Sequence, residues 1–104
     1  MELILIRHGL PVRSRETSDP PLSDKGSDQA RRVAAWLAGE RIDVVASSTM
    51  RRAIQTAEPL AVLTGHEIET HEGIVEFDRH TGSYLPMEEL KREFPPGVLA
   101  FIAG

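Results

Sequence analysis

Cysteine is absent from the 104-residue chain. That excludes thiolate nucleophiles, disulfides and sulfur-ligated metals, and it agrees with a cytoplasmic setting. No apolar stretch approaches the roughly 20 residues a membrane helix needs, and Met1-Glu2 runs straight into an apolar segment without the layout of a secretory leader. The expectation is a cytoplasmic protein that does not engage a membrane. There is no basic excess either. The net charge of −4 argues against broad binding of nucleic acid or anionic lipid, while leaving room for a local basic pocket. Repeats, low-complexity segments and internal linkers are missing too, so residues 1–104 read as a single domain. With 40% apolar and 27% charged residues, its composition is that of a globular protein.

What is there begins with Leu3-Ile4-Leu5-Ile6, an apolar run without polar alternation, as expected of a strand covered on both faces. It ends abruptly in Arg7-His8-Gly9. A polar loop follows through Asp19-Pro20-Pro21, where two prolines exclude helix. Ser23 then reads as the N-cap of a helix, with Asp24 in its first turn, a buried stripe at Ala30, Val33, Ala34 and Leu37, and Gln29, Arg31 and Arg32 facing solvent. Ile42 to Ala46 is a second short strand, and Ser47-Ser48-Thr49 is expected to cap the helix after it. Met50, Ala53, Ile54, Ala57 and Ala61 mark that helix, which Pro59 should kink or divide and Thr64-Gly65 should end.

His66 to Thr70 alternates like a third strand, with Glu67 and Glu69 on its wet face. Ile74 to Phe77 is a weaker extended candidate, and Pro86 to Phe94 has the layout of a short helix. Strands alternating with helices give an α/β fold with a mainly parallel sheet and flanking helices.

In such a sheet the carboxyl ends of the strands lie on one side, where ligands bind. Arg7-His8 after the first strand and an arginine in the second helix's first turn can therefore share one cleft. Arginine's planar donors match phosphate oxygens, and a helix start offers unpaired N–H groups, so this is the geometry of an anion site. Gly9 would let the backbone approach a bound group. His66, His71 and His80 lack metal-ligand spacing and read as surface or loop residues; no metal or other cofactor is expected.

Leu5-Ile6-Arg7-His8-Gly9, then Leu22-Ser23-Asp24-Lys25-Gly26, then Ser47-Ser48-Thr49-Met50-Arg51-Arg52-Ala53-Ile54-Gln55-Thr56-Ala57 together resemble the histidine phosphatase superfamily, which includes cofactor-dependent phosphoglycerate mutases. Three ordered motifs carry the resemblance. It implies a phosphoglycerate mutase-like fold and a phosphatase acting on small phosphate monoesters through a phosphohistidine at His8. Arg7 corresponds to the arginine that grips the phosphate beside it. Met50 fills the hydrophobic slot of the third motif, so Arg52 and not Arg51 matches the second phosphate-binding arginine. Ser14, in the loop after the first motif, is a further candidate for substrate contact, weighed against a solvated loop serine. Glu76 falls where the family's acid would stand, with Asp78 as its rival because Phe77-Asp78-Arg79-His80 precedes Gly82.

The pattern also breaks. The resemblance implies a second active-site histidine in a His-Gly motif after a further strand, and nothing after Glu76 matches it. Val98 to Ile102 is an apolar run with only Ala103-Gly104 beyond. It is expected to be the cut edge of a longer domain whose missing part carries central strands; the alternative is a homodimer contact. A binding-only phosphate domain and a mutase are the alternatives to the phosphatase.

Overall fold

The apolar run at the start of the chain forms strand β1 (Glu2–Arg7). The structure is a computed structural model and describes residues 2–72 and 97–103. Helix α1 (Asp24–Leu37), strand β2 (Val44–Ser47), helix α2 (Arg51–Thr64), strand β3 (Ile68–Thr70) and strand β4 (Val98–Ala103) follow in chain order. The four strands make one sheet in the order β1-β4-β2-β3, with every pair parallel. The β1–α1–β2 and β2–α2–β3 crossovers advance in the same direction across the sheet. Right-handed crossovers therefore put both helices on one face, where they pack against each other.

The apolar run at 98–102 is not an uncovered tail. It lies in β4, between β1 and β2, with Leu99, Ala100, Phe101 and Ile102 all buried. Its residues are buried on both faces of the sheet, in two separate clusters, which is why it reads as a continuous run. The argument for a dimer contact on this run falls with that placement, and β4 is itself a central strand.

Alternate residues divide between two clusters. Ile6, Val45, Ala100 and Ile102 meet Ala34 of α1 and Ala53, Ala57, Leu60 and Ala61 of α2. Val44, Ala46, Leu99, Phe101 and Ala103 point to the other side of the sheet.

Helix α1 starts as the sequence implies: Ser23 Oγ accepts the Gly26 N–H at 3.0 Å. Helix α2 does not. Ser47 belongs to β2, the N-cap residue is Met50, and no side chain of that residue caps the helix. Pro59 does not divide the helix either, because the burial of Ala57, Leu60 and Ala61 around it holds both halves to the sheet. Gly65, at φ 74°, closes α2 in the left-handed conformation. Strands β2 and β3 each begin two residues later than the hydrophobic pattern indicates.

At the amino end of the sheet, Asp43 and Val98 exchange two hydrogen bonds. Asp43 N donates to Val98 O at 2.9 Å, and Val98 N donates to Asp43 Oδ2 at 2.8 Å. Gly97, at φ 130°, lies so close to the Asp43 carboxylate that a Cβ there would collide with it. The Val98 amide, helped by Arg41 and His66, holds the Asp43 carboxyl below its ordinary value against the opposing effect of burial. His66 is half-buried rather than an idle surface residue: its Nε2 bonds the Ile42 carbonyl at 2.7 Å.

The extended candidate at 74–77, the helix at 86–94 and His80 lie outside the described residues. Among the described residues no helix is long and apolar enough to cross a membrane.

Candidate active site

Strands β1, β4 and β2 lie side by side, so their carboxyl ends meet. His8 N donates to Ala103 O at 3.2 Å and Ser48 N donates to Ile102 O at 3.1 Å, which seats the end of β4 between the two polar turns. Ser48 is fully buried, and its Oγ has no hydrogen-bond partner among the described residues. A cleft of about 210 Å³ opens beside His8, lined by Arg7, His8, Gly9, Gln29, Ala30, Val33 and Thr56.

Arg7, the last residue of β1, is exposed, while His8 is half-buried. His8 Nδ1 lies 2.7 Å from the carbonyl oxygen of Gly9. A carbonyl can only accept, so Nδ1 carries the proton and the neutral ring keeps its free lone pair on Nε2.

Gly9 is held on every side. Its N–H donates to Thr56 Oγ1 at 2.9 Å, and the Thr56 hydroxyl donates in turn to the Arg52 carbonyl at 2.6 Å. A Cβ at Gly9 would stand 2.6 Å from the Gly26 carbonyl oxygen. Glycine here thus permits a close approach to the start of α1, where the sequence suggested approach to a ligand.

The Leu22-to-Gly26 motif closes the loop that follows His8. Ser23 N and Oγ both donate to Leu10 O, at 2.9 and 2.7 Å, and Val12 N donates to Pro21 O at 2.9 Å. Two glutamines fasten the same loop to the helices: Gln29 Oε1 accepts from Leu10 N at 2.9 Å and Gln55 Oε1 from Leu22 N at 2.6 Å. Asp19 Oδ1 accepts from Arg51 N at 2.8 Å, supplying the start of α2 with the partner that the serines do not.

The structure therefore brings Arg7 and His8 together at one cleft. Arg52 is tied to them through its backbone, by way of Thr56 and Gly9, and sits half-buried in the first turn of α2. Ser14 is not among the cleft residues; it is exposed, and its Oγ accepts from Glu16 N at 3.2 Å and Thr17 N at 3.4 Å, a local turn that occupies the hydroxyl. Glu76 and Asp78 lie outside the described residues.

Sequence reasoning missed Thr56, Gln29, Gln55, Asp19 and the packing role of Gly26. One signal was available for Thr56. It lies three residues after Ala53 and four before Leu60, a polar residue on an otherwise apolar helical stripe.

A parallel sheet whose strand ends set Arg7-His8 beside α2 thus forms the candidate site. The sequence pattern of the histidine phosphatase superfamily, branch 1, matches residues 3–104, and the chain belongs to that superfamily. It is 34% identical over 100 residues to phosphoserine phosphatase 1 of Hydrogenobacter thermophilus, covering 91% of this chain and 47% of that protein. It is also 34% identical over 103 residues to a probable phosphoglycerate mutase of Photorhabdus laumondii, covering 88% of this chain and 47% of the relative. The chain spans about half the length of these curated relatives. A mycobacterial glucosyl-3-phosphoglycerate phosphatase, solved in complex with VO3, superposes with a TM-score of 0.72 at 20% identity, over 98% of this chain and 74% of the other; the likeness is one of fold.

Proposed function

We propose that the chain carries the phosphoryl-accepting part of a phosphatase that hydrolyses small phosphate monoesters through a phosphohistidine on His8. The observation that supports this reading most directly is the 2.7 Å bond between His8 Nδ1 and the Gly9 carbonyl, because it leaves Nε2 as the nucleophilic nitrogen. The Nε2 lone pair attacks phosphorus, the P–O bond to the leaving group breaks, and a carboxylic acid returns a proton to the departing oxygen. Water then attacks the phosphohistidine while the same carboxylate takes up its proton; the P–N bond breaks, inorganic phosphate leaves, and both His8 and the acid are restored. Arg7 and Arg52 grip the phosphate oxygens and stabilise the charge on them during transfer. Glu76 is the proposed acid, with Asp78 its rival, and the substrate is a small phosphorylated molecule. The curated relatives are named as a phosphoserine phosphatase and a probable phosphoglycerate mutase, which supports this substrate class.

Hydrolysis of an aryl phosphate by the chain, with His8→Ala as the blank, tests the proposal. Turnover that vanishes in the variant, together with an acid-labile phosphoryl label that requires His8, is the expected result. Rates equal to the blank and no label would overturn it for these 104 residues.

A second reading has a specific observation behind it. No second histidine of the family pattern is present, and the carboxyl end of β4 lies against His8 through the Ala103 carbonyl. On this reading the residues present bind phosphate without turning it over. Phosphate binding that is lost in Arg7→Ala, without hydrolysis, would favour this reading.

A further inference from the structure

Thr56 is 4% exposed and stands on the apolar stripe of α2, where a valine would pack equally well and have no hydroxyl to satisfy. Its hydroxyl roles are determined by its neighbours. The single proton goes to the Arg52 carbonyl at 2.6 Å, so toward the Gly9 N–H at 2.9 Å the oxygen can only accept. Gly9 is the residue whose carbonyl meets His8 Nδ1, and a glycine has no intrinsic preference that would orient that carbonyl by itself. The peptide after Gly9 is held by Gln29, through Leu10 N; the peptide before it is held by Thr56.

We infer that Thr56 is a positioning residue: by anchoring the Gly9 N–H to α2 it keeps the Gly9 carbonyl on His8 Nδ1, and so selects Nε2 as the nitrogen that faces the reaction. The inference rests on the reading of His8 as the nucleophile and deepens it. Arg52, in the same arrangement, shares its carbonyl with the hydroxyl that aligns His8, so the two groups are registered through one side chain rather than through the loop.

The test reads the tautomer of His8, which a merely structural role for Thr56 would not move. The ring proton is assigned from two-bond ¹H–¹⁵N correlations of the labelled chain at alkaline pH, where imidazole is neutral. The wild type is expected to carry its proton on Nδ1. Thr56→Val, nearly isosteric but without the hydroxyl, is expected to lose that single tautomer, and Thr56→Ser to restore it. A wild-type His8 protonated on Nε2, or a folded Thr56→Val chain that keeps the wild-type pattern, overturns the inference.

Should Thr56→Val fail to fold, amide exchange in the wild type decides. Protection of the Gly9 N–H supports the bridge, and exchange at the rate of an open loop amide overturns it. A Thr56-dependent tautomer without hydrolysis would count against the phosphatase reading alone. Hydrolysis with a tautomer indifferent to Thr56 would count against the positioning role alone.

Discussion

The carboxylate of Asp19 accepts the amide proton of Arg51 at 2.8 Å, across 32 residues of chain. It gives α2 the cap that Met50 cannot, and it fastens the loop after His8 to the helix that carries Arg52 and Thr56. Removing the carboxylate leaves that N–H without its protein partner. Asp19→Ala is expected to lower stability by about 0.5–2 kcal/mol, whereas Asp19→Asn, which keeps an acceptor, should lose much less. Urea denaturation of the two variants side by side checks this; equal losses would point to the charge instead of the hydrogen bond.

Gly26 sets two effects against each other. Inside a helix, alanine is favoured over glycine by about 1 kcal/mol. A Cβ at this position, however, would collide with the backbone carbonyl of Leu10, which Ser23 already holds from two donors. Backbone cannot swing aside as a flexible side chain would, so overpacking is expected to win. Gly26→Ala should destabilise by about 1–3 kcal/mol. Thermal melts measure the sign directly, and a raised midpoint would mean the loop yields.

Asp43 links the fold to pH. Its carboxyl is held below its ordinary value of 3.8, chiefly by the Val98 amide. A depressed folded-state value means that the unfolded chain binds the proton first. The stabilisation from this group is therefore complete above the ordinary value and disappears as pH falls through the lower, folded one. Acid unfolding curves of wild type and Asp43→Ala should converge toward the acid end and separate toward neutrality. Curves that run parallel across the whole range would assign the difference to packing against Gly97.

Pro59 lies inside α2 without a backbone N–H, so the Gln55 carbonyl has no helical donor four residues on. Pro59→Ala restores that donor. Part of the gain is offset because proline also restricts the unfolded chain. The expected outcome is a stabilisation of about 1–3 kcal/mol by urea titration, with a decrease indicating that the proline ring fills space the helix needs.

Much of this protein is determined by local pattern. The run Leu3 to Ile6, the stripe from Ala30 to Leu37, the Ser23 cap and the stop at Gly65 depend on a residue and its near neighbours, so periodicity and turn chemistry locate them. The break from the strand into Arg7-His8-Gly9 is legible for the same reason.

Strand order is a different matter. Val98 to Ala103 looks like an uncovered tail in one dimension, and it becomes a central strand because burial on both faces depends on which strands flank it. The true cap of α2 is equally hidden, since Asp19 reaches it across a loop and no spacing rule spans that distance. The ring state of His8 likewise follows from contacts that tertiary packing alone creates: Thr56 on Gly9, Gly9 against Gly26, and the Gly9 carbonyl on Nδ1. The sequence by itself determined the family pattern and the local elements that carry Arg7, His8 and Arg52. The tertiary structure decided how they are oriented, because hydrogen-bond direction and backbone approach exist only once distant segments are packed together.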